Sequence, residues 1–599
     1  MSAVKDAVTI GSLVRPYWRG YALGLSSLLL VNVSDVLAPL FMAAAVDITT
    51  ASLSGTVPPD APLLLRLMGV SLQSMTVVTA VAVFLLLQIT ANVMRYPMTI
   101  NVANNSHLVG QSLRNRITAH LLALSRPYYD RARSGDLMSL ATNDVSAIRM
   151  MLGPGVLVGT DTILLITFVV LVLLSMSPTL TMITVIPLPF IAWMTNVLSK
   201  REYERFEDVQ KDVGDLTERA RESFAGIRIV QGYATEAEDL RRFTNRSLIH
   251  MGKQLRLARV RSVFQPTLDL MPGFSTVLVL IFGGAQVARG SLTIGAFVAF
   301  LFLVGFLSGP MIGFGWTVTL FQRGRASLSR VMAFLGEPVT ITGGTRQVDV
   351  ANGVDLEVRN LTFAFGEGTE PVLTGIRFHV QSGRTLGITG PVGAGKSVLA
   401  NLLVRLYDPP AGTILVNGVD IRELETENLR QVFSLAAQEN FLFSDSIARN
   451  ILLSGQVPDD GDPQPYARLA AIHDEISAMP EQYSTLLGER GVTMSGGQRQ
   501  RTSIARAIAA PAPILVLDDC LSAVDSRTEM AILAQMRQVF ASRSGIIISH
   551  RIAAIRECDE IIVLDHGRIV ERGTHASLLE ADGYYARTAR AQSEQEHAA

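Results

Sequence analysis

The sequence predicts an all-α six-helix transmembrane domain with long cytoplasmic helical extensions, followed by an α/β domain built around a P-loop. Three observations carry that expectation. Residues 1–325 hold six apolar stretches, each near the ~20 residues that a bilayer crossing needs. Residues 390–397 read Gly-Pro-Val-Gly-Ala-Gly-Lys-Ser, between a short apolar strand pattern and a helical one. From residue 346 the apolar runs shorten and alternate with Gly- and Pro-marked turns, as in mixed α/β domains. The expected organisation is a membrane domain over 1–325, a linker over 326–345, a nucleotide-binding domain over 346–590 and a disordered tail over 591–599.

Composition agrees with two domains of different solvent. A chain of 599 residues exceeds one core. Only 18% of residues are charged and mean hydropathy is +0.32, too apolar for an ordinary soluble protein. A net charge of −1 gives no whole-protein case for a nucleic-acid partner. The two cysteines, Cys520 and Cys558, form no disulfide framework and suit a reducing cytosol. The first apolar run is too long for a signal peptide and is expected in the mature protein.

The expected spans are 20–46, 69–94, 156–177, 179–199, 265–288 and 292–318. The third and fourth are separated only by residues 175–178, and the fifth and sixth by 288–291, so both connections are short outer turns. The segment after span two carries Arg114, Arg116, Arg126, Arg131, Arg133 and Arg149; the one after span four carries Lys200, Arg201, Arg219, Arg221, Arg228, Arg241 and Arg242. The positive-inside rule places these segments and both termini in the cytoplasm.

Residues 96–125 and 200–222 continue as helix formers beyond the bilayer, about 25 residues or roughly 40 Å of projecting helix. Two short segments interrupt them, Arg126-Pro-Tyr128-Tyr129-Asp130 and the stretch 222–229 with Phe224 and Ile227. Their matching layout favours contact points for a partner domain over simple helix turns. Asp35, Asp161 and Asp269 are ionisable groups within spans, where each must face a cavity or a partner. Asp35 fits a cationic substrate, a pairing arginine or the cap of a neighbouring helix. Phe314 and Trp316 on the last span are candidate cavity aromatics, or packing residues and interface anchors.

In the P-loop, Gly390, Gly393 and Gly395 let backbone N–H groups converge on phosphate oxygens. Lys396 supplies a point charge to the β/γ-phosphates and Ser397 a hydroxyl to Mg²⁺. Downstream, Ile514-Leu-Val-Leu-Asp518 is a buried strand ending in a carboxylate, a second Mg²⁺ position. ATP and Mg²⁺ are the implied ligands.

With these motifs in order, the whole chain resembles a half-transporter of the type IV ABC exporter family. The resemblance implies six domain-swapped spans followed by one ATPase domain. It implies that Gln438 senses Mg²⁺, that Glu489 and Arg490 belong to the X-loop and touch coupling segments, and that Ser495, Gly496, Gly497 and Gln498 form the signature that grips ATP held by a second chain. Asp525 resembles the D-loop aspartate and His550 the switch histidine. Phe365 stands where the family usually has an adenine-stacking tyrosine, and it preserves the π face. Val398 departs from the pattern, which usually has a second hydroxyl there.

The sharper departure is Asp519, where the family usually has the glutamate that orients the attacking water. One missing methylene withdraws the carboxylate by about 1.5 Å, and a misplacement near 1 Å costs about 100-fold in rate. The pattern resembles the degenerate-site subunit of heterodimeric bacterial multidrug exporters of the Mdl/Smd type. It implies a partner chain bearing the glutamate, and export of amphipathic or hydrophobic compounds across the bacterial cytoplasmic membrane. The alternatives are a lipid flippase, or a homodimeric exporter in which Asp519 still serves as base. A peptide exporter, an importer on the same scaffold and an ATP-gated channel are weaker rivals, for want of a peptidase, a redox or a regulatory segment.

Overall fold

The computed structural model describes residues 9–185, 187–350, 353–366, 368–453, 461–488, 491, 493–522, 524 and 526–598. The chain divides into two compact units, Met1–Leu122 with Arg133–Glu337, and Ala123–Ala132 with Pro338–Ala599.

The first unit is helical. Its main elements are Trp18–Ser54, Val77–Ala123, Val156–Met176, Pro178–Val185, Pro187–Ala225, Glu236–Leu278, Ile294–Phe306 and Ser308–Leu335. Among the described residues three helices are long and apolar enough to cross a membrane, Ile10–Ser54, Val77–Ala123 and Ser134–Met176. Gly273–Ala288 and Ile294–Phe306 are shorter apolar helices. Leu40, Ala44, Leu173, Ala299, Phe300 and Leu303 form the centre of the core.

The second and sixth spans depart from expectation for local reasons. The second helix starts at Val77 rather than 69, because Thr76 and Thr79 cap it reciprocally. The Thr76 hydroxyl accepts from the Thr79 N–H (3.2 Å) and the Thr79 hydroxyl from the Thr76 N–H (2.9 Å). The sixth span is broken at Leu307 into Ile294–Phe306 and Ser308–Leu335. Pro310 supplies no N–H to the carbonyl four residues earlier, at Phe306, and its ring crowds that carbonyl.

The acids within the helical unit find partners. Asp35 pairs with Arg95 at 2.9 Å, the arginine alternative among those that its sequence position left open. Asp161 accepts from Asn32 Nδ2 at 2.8 Å. The Asp269 side chain lies outside those described. Sequence reasoning passed over Asp47, which is 3% exposed and accepts from Thr293 Oγ1 and the Gly295 N–H, each at 2.7 Å. It caps the start of the Ile294–Phe306 helix from the first span. Gly295 permits the approach: a Cβ there would sit 2.1 Å from the Ala43 carbonyl oxygen. Phe314 and Trp316 are exposed, at 58% and 46%.

The second unit holds two sheets. The antiparallel one has the order β2-β1-β4-β5, from β1 (Leu356–Phe363), β2 (Leu373–Val380), β4 (Ile414–Val416) and β5 (Val419–Asp420). The other has the order β10-β9-β3-β8-β7-β6, from β3 (Thr385–Thr389), β6 (Phe433–Ala436), β7 (Ile514–Asp518), β8 (Ser544–Ile548), β9 (Glu560–Asp565) and β10 (Arg568–Gly573). Its strands are parallel except at β10. Every residue of β7 and β8 is buried, as expected for strands covered on both faces.

The tail expected to be disordered is helical, over Tyr584–Ala598. Its alanines, arginines, glutamines and glutamates favour helix, and Glu571 caps its start by accepting from the N–H groups of Tyr584 and Tyr585.

Candidate nucleotide site

Topology decides which residues meet. Strands β3, β8, β7 and β6 are neighbours in that order, with Ile388 beside Ile548, Ile548 beside Asp518, and Leu517 beside Ala436. Whatever follows each strand therefore emerges along one edge: the P-loop after β3, His550 after β8, Asp519 after β7 and Gln438 after β6. Carboxyl ends of parallel strands are where open α/β sheets bind ligands.

The P-loop conformation needs its glycines. Gly390 has φ +142°, and a Cβ there would lie 1.9 Å from the Leu564 carbonyl oxygen. Gly395 has φ +95° and a Cβ would meet Leu373 at 2.7 Å. Gly393 shares the left-handed conformation. The helix Lys396–Leu403 begins directly after, so its first N–H groups face the loop. Lys396 is 7% exposed and donates to the carbonyls of Gly390 (2.9 Å) and Pro391 (2.8 Å). Burial holds its pKa below the usual lysine value, against the attraction of Asp519 and Asp518. Val398 is partly buried against the hydrophobic core, which accounts for an apolar residue there.

Asp518 is buried, and burial raises its carboxyl above the usual range, with the Ser397 hydroxyl bond opposing. Its Oδ1 has no hydrogen-bond partner among the described residues. An orphaned carboxylate oxygen beside a hydroxyl fits a hard, oxygen-seeking divalent cation such as Mg²⁺. Burial, and then the nearby Lys396 ammonium, push His550 below the ordinary histidine pKa, with Asp519 opposing. Gln438 is exposed, two residues beyond β6.

Asp519 adopts φ +45°, a left-handed conformation that aspartate tolerates. Its backbone is held at both ends. The N–H donates to the Ile548 carbonyl (2.8 Å), and the carbonyl accepts from Gln500 Nε2 (3.3 Å) and the Ser522 hydroxyl (3.1 Å).

The signature turn belongs to a second core, formed around Ile504, Ala505 and Ile508. Ser495 caps the helix Gly496–Ala509 in a reciprocal box with Gln498. Gln498 also donates to Glu475 at 2.8 Å, and Arg501 pairs with Glu475 at 2.7 Å. Ser495 and Gly496 are exposed, and Gly497 is partly buried, at the open end of this helix. Glu489, Arg490 and Asp525 lie outside the described residues.

Phe365 packs edge-on against Tyr407, ring centroids 5.3 Å apart. The Tyr407 hydroxyl donates to Asp130 Oδ2 at 2.6 Å. Asp130 belongs to the short helix Arg126–Arg131, which also carries Tyr128 and Tyr129. The segment Ala123–Ala132 thus sits in the same unit as the P-loop. Sequence reasoning named Asp130 but missed Tyr407, whose ring and hydroxyl face different partners. Tyr407→Phe is expected to keep the packing on Phe365 and ATP affinity while speeding amide exchange over 123–132 by about tenfold, as loss of one bond to a charged group predicts. Hydrogen-exchange mass spectrometry checks it. Phe224 and Ile227, near the break at Gly226, are 76% and 43% exposed.

A P-loop, a strand-end carboxylate pair and a signature turn on an α/β domain, joined to a bundle of long apolar helices, define a membrane-bound ATPase. The family description "ABC transporter transmembrane region" matches residues 21–311, and "ABC transporter" matches residues 373–522. The chain is 33% identical over 577 residues, 96% of each chain, to the probable multidrug resistance ABC transporter ATP-binding/permease protein YheI of Bacillus subtilis. It is 36% identical over 478 residues, 79% of each chain, to the ATP-dependent lipid A-core flippase of Pseudomonas fluorescens. Among solved structures, a bacterial Atm1-family ABC exporter with ATP bound matches with a TM-score of 0.73 at 25% identity, covering 97% of this chain and 99% of that one. The chain belongs to the ABC transporter family, as a half-transporter of the type IV exporter fold, and is an ATPase coupled to transport across a membrane.

Proposed function

We propose that this chain is one half of a heterodimeric exporter of amphipathic or hydrophobic compounds in the bacterial inner membrane, with both termini cytoplasmic. Its own nucleotide site is slow, and its signature turn completes the partner's competent site. The observation that carries this reading is Asp519. Its side chain is one methylene short, and its backbone is tied to Ile548, Gln500 and Ser522, so the chain resists the shift that would restore the reach.

In this reading Lys396 and the P-loop N–H groups hold the ATP phosphates, Phe365 stacks on adenine and His550 meets the γ-phosphate. Ser397, Gln438 and Asp518 would hold Mg²⁺, which neutralises phosphate charge when bound. Ser495, Gly496, Gly497 and Gln498, with Asp525 and the X-loop residues Glu489 and Arg490, serve the interface with the partner chain. Tyr128, Tyr129 and Asp130 form one coupling contact. The exposed Phe224 and Ile227 form the other, toward the partner's nucleotide-binding domain. The Asp35–Arg95 pair neutralises a charge that a cationic substrate would need free, so selection rests more on apolar surface such as Phe314 and Trp316.

A lipid substrate is the second reading, favoured by the similarity to a lipid A-core flippase. Mass photometry and ATPase assays on the purified chain in lipid test the assembly. A chain that is nearly inactive alone supports the proposal. A stable homodimer with two equal hydrolysis rates overturns it. Dye efflux against fluorescent-lipid translocation in vesicles separates the substrate classes.

A further inference from the structure

We infer that Gln592, on the C-terminal helix, is a positioning residue for the switch loop. The inference rests on the reading of His550 as the group that meets the γ-phosphate.

One side-chain amide grips the loop on both sides of Arg551. Gln592 Nε2 donates to the His550 carbonyl and Gln592 Oε1 accepts from the Ile552 N–H, each at 2.8 Å. Arg551, between them, donates to the carbonyls of Ser522 (3.3 Å) and Val524 (3.2 Å) and pairs with Glu529. The loop is therefore fixed toward the segment after Asp519 through Arg551, and toward the C-terminal helix through Gln592.

The helix is built to hold that amide in place. Glu571 on β10 caps Tyr584 and Tyr585, and Gly583 makes room for the carboxylate, since a Cβ there would lie 2.2 Å from it. Tyr585 is fully buried, with its hydroxyl 2.8 Å from His575 Nδ1. Gln592 lies seven residues further on, so the two share one helix face. A side chain midway along a helix that is capped by Glu571 and anchored by the buried Tyr585 gives the His550 backbone a fixed reference that strand β8 alone does not supply.

The test is equilibrium binding of ATP and of ADP to the full-length chain in lipid nanodiscs, with EDTA present so that hydrolysis does not intrude. Gln592→Met keeps size and helix propensity but loses both bonds. Gln592→Glu keeps the acceptor and loses the donor. Both are expected to weaken ATP binding about three- to tenfold, the effect of one hydrogen bond, while ADP binding stays unchanged and reports an intact fold. His550→Ala, in the same assay, must lower the same ATP-over-ADP preference. If His550→Ala lowers it and neither Gln592 variant does, the inference is overturned. If His550→Ala has no effect, the switch reading beneath it fails, and the positioning role fails with it.

Discussion

Exchanging Asp519 for glutamate is expected to raise ATP turnover at this chain's own site by up to about 100-fold. The added methylene carries the carboxylate forward by about 1.5 Å into the region that the attacking water occupies in family members with glutamate. The gain depends on the backbone staying where it is. The Asp519 N–H is bonded to the Ile548 carbonyl of the adjacent strand, and its carbonyl to Gln500 and Ser522, so a longer side chain extends from a fixed root. The measurement is steady-state ATPase of the purified chain in lipid, native against Asp519→Glu. A nearly inactive native chain with a many-fold gain identifies the site as degenerate and directs the search to a glutamate-bearing partner. Brisk native turnover makes Asp519 a competent base and a homodimer the better description.

Replacing Lys396 with alanine is expected to remove whatever turnover the site has, by on the order of 10²–10³-fold, the scale for losing a preorganised charge at a reacting centre. Lys396 donates to two loop carbonyls and feels the charge of two carboxylates. Burial already works against its charge, and Asp518 and Asp519 work for it. Without it, Asp518 keeps its buried position and its Ser397 bond but loses the cation that also favours its ionised form. Both phosphate binding and the divalent-cation position should weaken together. Titration of ATP with and without Mg²⁺ on the Lys396→Ala chain reads both. An unchanged Mg²⁺-dependent affinity would place the phosphates away from this loop.

Local signals were legible in the sequence because they are local. The glycine spacing at 390–395 demands left-handed backbone, and the structure has it at all three glycines. The apolar run ending at Asp518 reads as a strand covered on both faces, and β7 is one. Helix ends were less legible. The cap at Thr76 and the break at Leu307 each depend on one or two residues inside a long apolar pattern, where averaged hydropathy is blind to them. The helical tail was misread for the same kind of reason. Its composition is polar, and its order comes from Glu571 and the His550 loop, both distant in sequence.

By itself the sequence determined that this is a membrane protein with a phosphate-binding loop, which residue types face the phosphates, and that one carboxylate is short. Those follow from composition, spacing and side-chain length. Only the tertiary structure decided which residues meet. Strand order 3-8-7-6 gathers four segments that lie far apart in the chain, the P-loop, Gln438, Asp518 and His550, along one edge. It also decided that Asp35 is paired, that Tyr407 joins Asp130 to Phe365, and that the last helix grips the His550 loop. Each is a contact between segments distant in the chain, and such contacts are set by how buried surfaces pack rather than by any pattern within a single segment.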